Sequence, residues 1–132
     1  MSDKIHPIIE LLQHDQRYHI EAYQFVREAL AYAQEILKMP AHGGEGEHHI
    51  TGQQLCEAIR QYALDQFGYM AKTVLNNWGV HGTGDFGEIV YNLIRIKHMK
   101  KSDADRREDF DDVYSFATAF DPVFELSSSD DT

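Results

Sequence analysis

The sequence predicts an all-α fold, a compact single-domain bundle of five or six helices. Apolar residues recur every three or four positions in several separate segments, the spacing that lines one face of a helix. Strict apolar–polar alternation never lasts more than a few residues, so no strand is expected. Capping signals fall between the periodic segments, as helix ends require. The 132 residues are 42% hydrophobic and 11% aromatic, enough for one core and within the roughly 100–200 residues of one domain. The expected layout is a helical domain over 1–126 and a frayed polar tail over 127–132.

Residues 5–14 form a short apolar-rich helix with Pro7 near its start, where proline is tolerated. His19 to Lys38 is the clearest helix. Ile20, Tyr23, Val26, Leu30, Ala33 and Leu37 make one stripe, and Ala22, Phe25, Ala29, Tyr32 and Ile36 its neighbour. Two stripes make a wide apolar face and a central helix. Met39 to Ile50, with Pro40, Gly43, Gly44 and Gly46, is the longest loop.

Thr51 with Gln54 reads as a capping box, opening a helix that carries Leu55, Ile59, Tyr62, Ala63 and Phe67 and ends at Gly68. Met70, Ala71, Val74, Leu75 and Trp78 form the next helix, ended by Gly79, with Trp78 expected to be largely buried. Thr83 reads as the cap of a helix that buries Phe86, Ile89, Val90, Leu93 and Ile94 and runs to about Met99. Ser102 and Asp105 cap a polar turn, after which Phe110, Val113, Tyr114, Phe120, Val123 and Phe124 should pack back on the bundle.

The net charge is −10, unevenly spread. Residues 1–50 balance at −4, residues 51–101 at +2 and residues 102–132 at −8. The sign changes abruptly between the basic cluster Arg95, Lys97, Lys100, Lys101 and the acidic segment from Asp103. So acidic a chain is a poor generic binder of nucleic acid or anionic lipid. One cysteine excludes an internal disulfide framework or a Cys-rich zinc module. No apolar run approaches the roughly 20 residues of a membrane span. Met1-Ser2-Asp3-Lys4 carries no apolar signal core, and a cytoplasmic protein is expected.

His49-Ile50-Thr51-Gly52-Gln53-Gln54-Leu55, Tyr62-Ala63-Leu64-Asp65-Gln66-Phe67-Gly68, Trp78-Gly79-Val80 and Asp85-Phe86-Gly87-Glu88-Ile89-Val90 follow in order. With Asp109-Phe110, Val113-Tyr114, Phe116 and Ala119-Phe120, they make the chain resemble a family of small uncharacterised bacterial proteins found mainly in Planctomycetes and Verrucomicrobia. The resemblance spans roughly residues 5 to 125. It implies a stand-alone cytoplasmic protein and carries over no activity and no functional residue.

Two constellations could carry chemistry. His42, His48 and His49 share the glycine-rich loop with Glu45 and Glu47, ligand types that suit zinc or nickel. Their spacing matches no metal template, and the plain alternative is a solvated polar loop. His81, Asp85 and Glu88 form the second cluster, the two carboxylates sharing a helix face. They could bind a metal or do acid–base work, or the carboxylates could simply complement a helix N-terminus. Asp85-Phe86-Gly87 spells a kinase tripeptide without the rest of a kinase. Cys56 reads as a small core thiol. Gly68 parts two helices as in a helix-turn-helix, but Lys72, Asn76 and Asn77 are thin cover for a recognition helix. Tyr18, Tyr69 and Tyr91 are the aromatics read as partly exposed.

No nucleotide loop, cofactor motif or nucleophile arrangement stands out, and no cofactor is expected. The leading expectation is a non-enzymatic protein-interaction module. Its surface is an acidic ridge of Asp103, Asp105, Glu108, Asp109, Asp111 and Asp112 that meets a basic protein partner, with a homodimer also open. The second is a small metal-dependent or acid–base enzyme using His81, Asp85 and Glu88, and the third a nucleic-acid-binding helical protein.

Overall fold

Each helix of the computed structural model, which describes residues 6–36, 50–100 and 106–120, starts or stops on an identifiable local device. Helix α1 (Pro7–His14) has Pro7 in its first turn, and the His6 imidazole accepts from the Ile8 N–H. Helix α2 (Ile20–Glu35) is likewise capped by a histidine, His19, which accepts from the Glu21 N–H. Neither cap is legible from the usual Ser, Thr, Asp or Asn preference. Helix α3 (Gly52–Phe67) opens with the expected box: Thr51 Oγ1 accepts from Gln54 N–H, and Gln54 Oε1 accepts from Thr51 N–H. It ends at Gly68 with φ +55°, a conformation glycine adopts without steric cost.

A 3-10 turn (Gly68–Met70) leads into α4 (Ala71–Asn77). Val80 N–H then donates to Leu75 carbonyl and Gly79 N–H to Asn76 carbonyl, the paired bonds of a Schellman turn. Gly79 has φ +94°, and a Cβ there would fall on the Arg17 carbonyl oxygen. Helix α5 (Thr83–Arg95) corrects two expectations. Its N-cap is Gly82, and Thr83 is the first helical residue, buried. It stops at Arg95 rather than near Met99, because His98 N–H donates to Leu93 carbonyl and Lys97 N–H to Ile94 carbonyl. That is a second Schellman turn, with Lys97 at φ +66° where glycine is usual. A 3-10 turn (Arg107–Phe110) and the single helical turn α6 (Phe116–Ala119) follow. No strand occurs among the described residues.

Helices α2, α3 and α5 enclose the core, built on Tyr23, Val26, Ile59, Leu75, Phe86, Ile89 and Leu93. Both α2 stripes contribute to it, through Ala22, Tyr23, Phe25, Val26, Ala29 and Ala33. The stripe fails at the helix ends, where Ile20 and Ile36 are exposed. Trp78 is only partly buried, a correction of the sequence expectation: its ring lies against Phe25 and Phe67 at the edge of the core. Tyr18 is corrected in the other direction and is buried, while Tyr69 is 75% exposed.

The Arg107–Phe110 turn lies across α5 and α3. Two glycines form its seat. A Cβ on Gly87 would stand 2.8 Å from Phe110 Cβ, and one on Gly52 would stand 2.8 Å from Asp109 Cβ. Phe110, Phe116 and Phe120 are buried, so the segment packs back on the bundle as its apolar residues require. Ser102, Val123, Phe124 and the 127–132 tail lie outside the described residues. No helix of the described residues is long and apolar enough to cross a membrane.

Candidate functional site

Asp85 lies in the first turn of α5 and Glu88 in the second, and protein donors occupy both carboxylates, while His81, just before the helix, reaches Asp85 only through its backbone N–H. Asp85 Oδ1 accepts from the Tyr18 hydroxyl at 2.6 Å, and Asp85 Oδ2 accepts from the His81 backbone N–H at 2.8 Å. Glu88 Oε1 accepts from Arg17 at 3.1 Å, and Glu88 Oε2 accepts from Arg107 at 2.9 Å. All four oxygens therefore carry a protein donor. His81 contributes its main chain to the cluster, and its residue is exposed.

The network extends in two directions. Arg17 also holds Asp15 through a 2.7 Å ion pair, and Asp15 accepts from Asn92 Nδ2, which also donates to the Tyr23 hydroxyl. Arg107 also donates to Asp111 at 3.0 Å and to the Gly84 carbonyl at 2.7 Å. One chain of charge thus ties the α1–α2 connector, helix α5 and the Arg107–Phe110 turn. Arg17 and the Asn92 bond hold the Asp15 carboxyl well below the usual carboxylate range. Arg107 first, then Arg17, pull Glu88 down as well. Burial and the Asp85 carboxylate keep the Tyr18 phenol well above its ordinary range. These shifts all favour the charge states already present at neutral pH, as paired and hydrogen-bonded groups do.

A second set of bonds pins the returning segment. Thr83 Oγ1 donates to the Phe110 carbonyl at 2.6 Å and accepts from Val113 N–H at 3.1 Å. Tyr114 donates to the Cys56 carbonyl at 2.7 Å. The Cys56 thiol itself is fully buried, and burial pushes it up to about 12; a thiol so placed is unreactive at neutral pH.

The acidic ridge is divided. Asp103 and Asp105 lie outside the described residues. Asp109 is half-buried and accepts from the Arg106 N–H at the start of the 3-10 turn. Glu108, Asp111 and Asp112 are exposed. Asp112 adopts φ +51°, a left-handed conformation that Asp tolerates better than most residues.

His42, His48 and His49 lie outside the described residues. Among the described residues no group of three His, Cys, Asp or Glu is placed to hold a metal. His6 and His98 meet edge to face at 5.5 Å between centroids. That pair is ill suited to a metal while His6 caps α1, because a neutral imidazole accepting at Nδ1 carries its proton on Nε2. Sequence reasoning missed Arg17, Tyr18 and Arg107, which complete the network. The one signal available was the isolated Arg106-Arg107 pair inside an acidic segment. No family model, curated protein or solved structure matches the chain.

Proposed function

We propose that this chain is a non-enzymatic protein-interaction module of the cytoplasm, related to the bacterial family it resembles, that meets a basic protein partner through residues 106–112. The observation that carries this reading is the two-sided construction of that segment. Arg107 and Phe110 face inward, on Glu88, the Gly84 carbonyl and the glycine seat. Glu108, Asp111 and Asp112 face water. A rigidly mounted acidic surface is ordered before it binds, which lowers the entropy lost on association. The donors held by Asp85 and Glu88 favour a structural role for these carboxylates over the acid–base alternative. The net charge of −10 and the thin cover of Lys72, Asn76 and Asn77 count against the nucleic-acid reading.

The test is retention of partners from native lysate on the wild-type chain and on Glu108→Gln/Asp112→Asn, each washed across a salt series. Asp111 is spared because it holds Arg107, and Asn suits the left-handed position at 112. Partners that elute with rising salt from the wild type and are lost from the variant support the reading. Identical partners at identical salt dependence overturn it. Sedimentation of the wild type alone reads out any homodimer.

A further inference from the structure

Two consecutive helices of this chain are capped by histidines through Nδ1, His6 on Ile8 N–H at 3.2 Å and His19 on Glu21 N–H at 3.1 Å. Both histidines are exposed, so protons reach them from water. Such a cap requires a neutral ring, because a protonated imidazole has no lone pair to accept with. Histidine is also the side chain that ordinarily changes charge between pH 5 and 8. Protonation removes the cap and sets a cation at the positive end of a helix dipole, two unfavourable changes at one place.

Helix α1 is the element that cannot absorb this. It has eight residues and buries only Leu11 fully, with Ile8 and Leu12 partly covered. Helices shorter than about 12–15 residues are marginal without tertiary support. Helix α2 is twice as long and lies in the core, so only its first turn is exposed to the same loss. We propose that α1 is an acid-released element, docked on the bundle while the His6 cap on Ile8 N–H is in place and freed when acid removes that cap.

The groups around the two caps carry both signs of charge. On α1 itself lies Glu10, and the turn that brings His98 against His6 also carries Lys97 and Lys100, after Arg95 at the end of α5. The His98 ring is the group in contact with His6, and Glu10 in the first turn of α1 is the nearby acid on its own helix. Around His19 stand Glu21 on α2, Asp15 and Arg17 in the connector, and His81 in the turn whose Trp78 carbonyl accepts the His19 N–H. The acids of α5 on that side, Asp85 and Glu88, are bound to Tyr18 and Arg17. His14 opposes release, because it donates to the Glu10 carbonyl at the last turn of α1 and favours the helix when charged. Asp15, held below the ordinary carboxylate range by Arg17, keeps its charge throughout this window. The connector therefore stays anchored while α1 lets go.

The experiment is carbon-13 secondary shifts of residues 8–12 in the full chain at pH 7.5 and 5.5, with residues 55–63 of α3 as the internal reference. The expected result is loss of at least half of the helical shift in α1 at pH 5.5 with α3 unchanged. His6→Asn, whose amide caps at either pH, should retain the α1 shift at pH 5.5, and His19→Asn should protect the first turn of α2 while leaving the α1 loss unchanged. An α1 that stays helical at pH 5.5 overturns the proposal, as does one that gains helicity because His14 dominates. Equal loss of shift in wild type and His6→Asn also overturns it, since the cap would not then be the trigger.

Discussion

The Tyr18 hydroxyl and the Asp85 carboxylate, 67 positions apart, are joined by a 2.6 Å hydrogen bond. Through it the connector between α1 and α2 is fastened to the N-terminus of α5. Tyr18→Phe leaves the ring packed and removes only this bond. The expected cost is about 1.5–3 kcal/mol, the range for a hydrogen bond to a charged group, read as a lower urea midpoint with an unchanged slope.

The glycine seat yields a paired expectation. Gly87→Ala places a methyl 2.7 Å from Arg107 Nη1 and 2.8 Å from Phe110 Cβ. Overpacking of this kind costs about 1–3 kcal/mol, outweighing the gain of roughly 1 kcal/mol that alanine brings to a helix. At Gly84 the nearest atom is Arg107 Nη2 at 3.5 Å, an ordinary contact. Gly84→Ala should therefore be neutral or slightly stabilising. Equal denaturation midpoints for the two variants would show that the seat is not tight.

Thr83 satisfies two main-chain groups at once, the Phe110 carbonyl and the Val113 N–H. Thr83→Val keeps the shape and strands both, at about 1–3 kcal/mol for each group left unpaired. Thr83→Ser keeps both bonds and loses one methyl, near 1 kcal/mol. Thermal denaturation should rank wild type above Ser and Ser well above Val.

Acid should weaken the fold through Asp15 and Glu88, both lowered in the native state, by Arg17 and by Arg107 respectively. A carboxylate lowered on folding adds stability that is fully present above its unfolded pKa, about 4. That stability is lost as pH falls through the native value. Urea midpoints should therefore drop below about pH 4 through these groups, and Glu88→Gln should flatten part of the drop. An identical profile in the variant would show that the Glu88 pairs contribute nothing measurable, as many exposed ion pairs do not.

The helix class was legible because periodicity is a local property. The stripes of α2, the Thr51–Gln54 box and the stops at Gly68 and Gly79 all report on residues within a turn of one another. Boundaries failed where local signals compete. Thr83 resembles an N-cap, yet its hydroxyl serves Phe110 and Val113, some thirty residues onward. The helix end at Arg95 relies on Lys97 in a conformation that its sequence does not advertise.

The sequence by itself determined the all-α class, the order of the helices and the proximity of Asp85 to Glu88 on one helical face. Only the tertiary structure decided what those carboxylates do. Arg17, Tyr18 and Arg107 arrive from two distant segments and occupy all four oxygens. The reason is physical: an apolar period is set by the geometry of a single helix, whereas the partner of a charged side chain depends on which helices pack together.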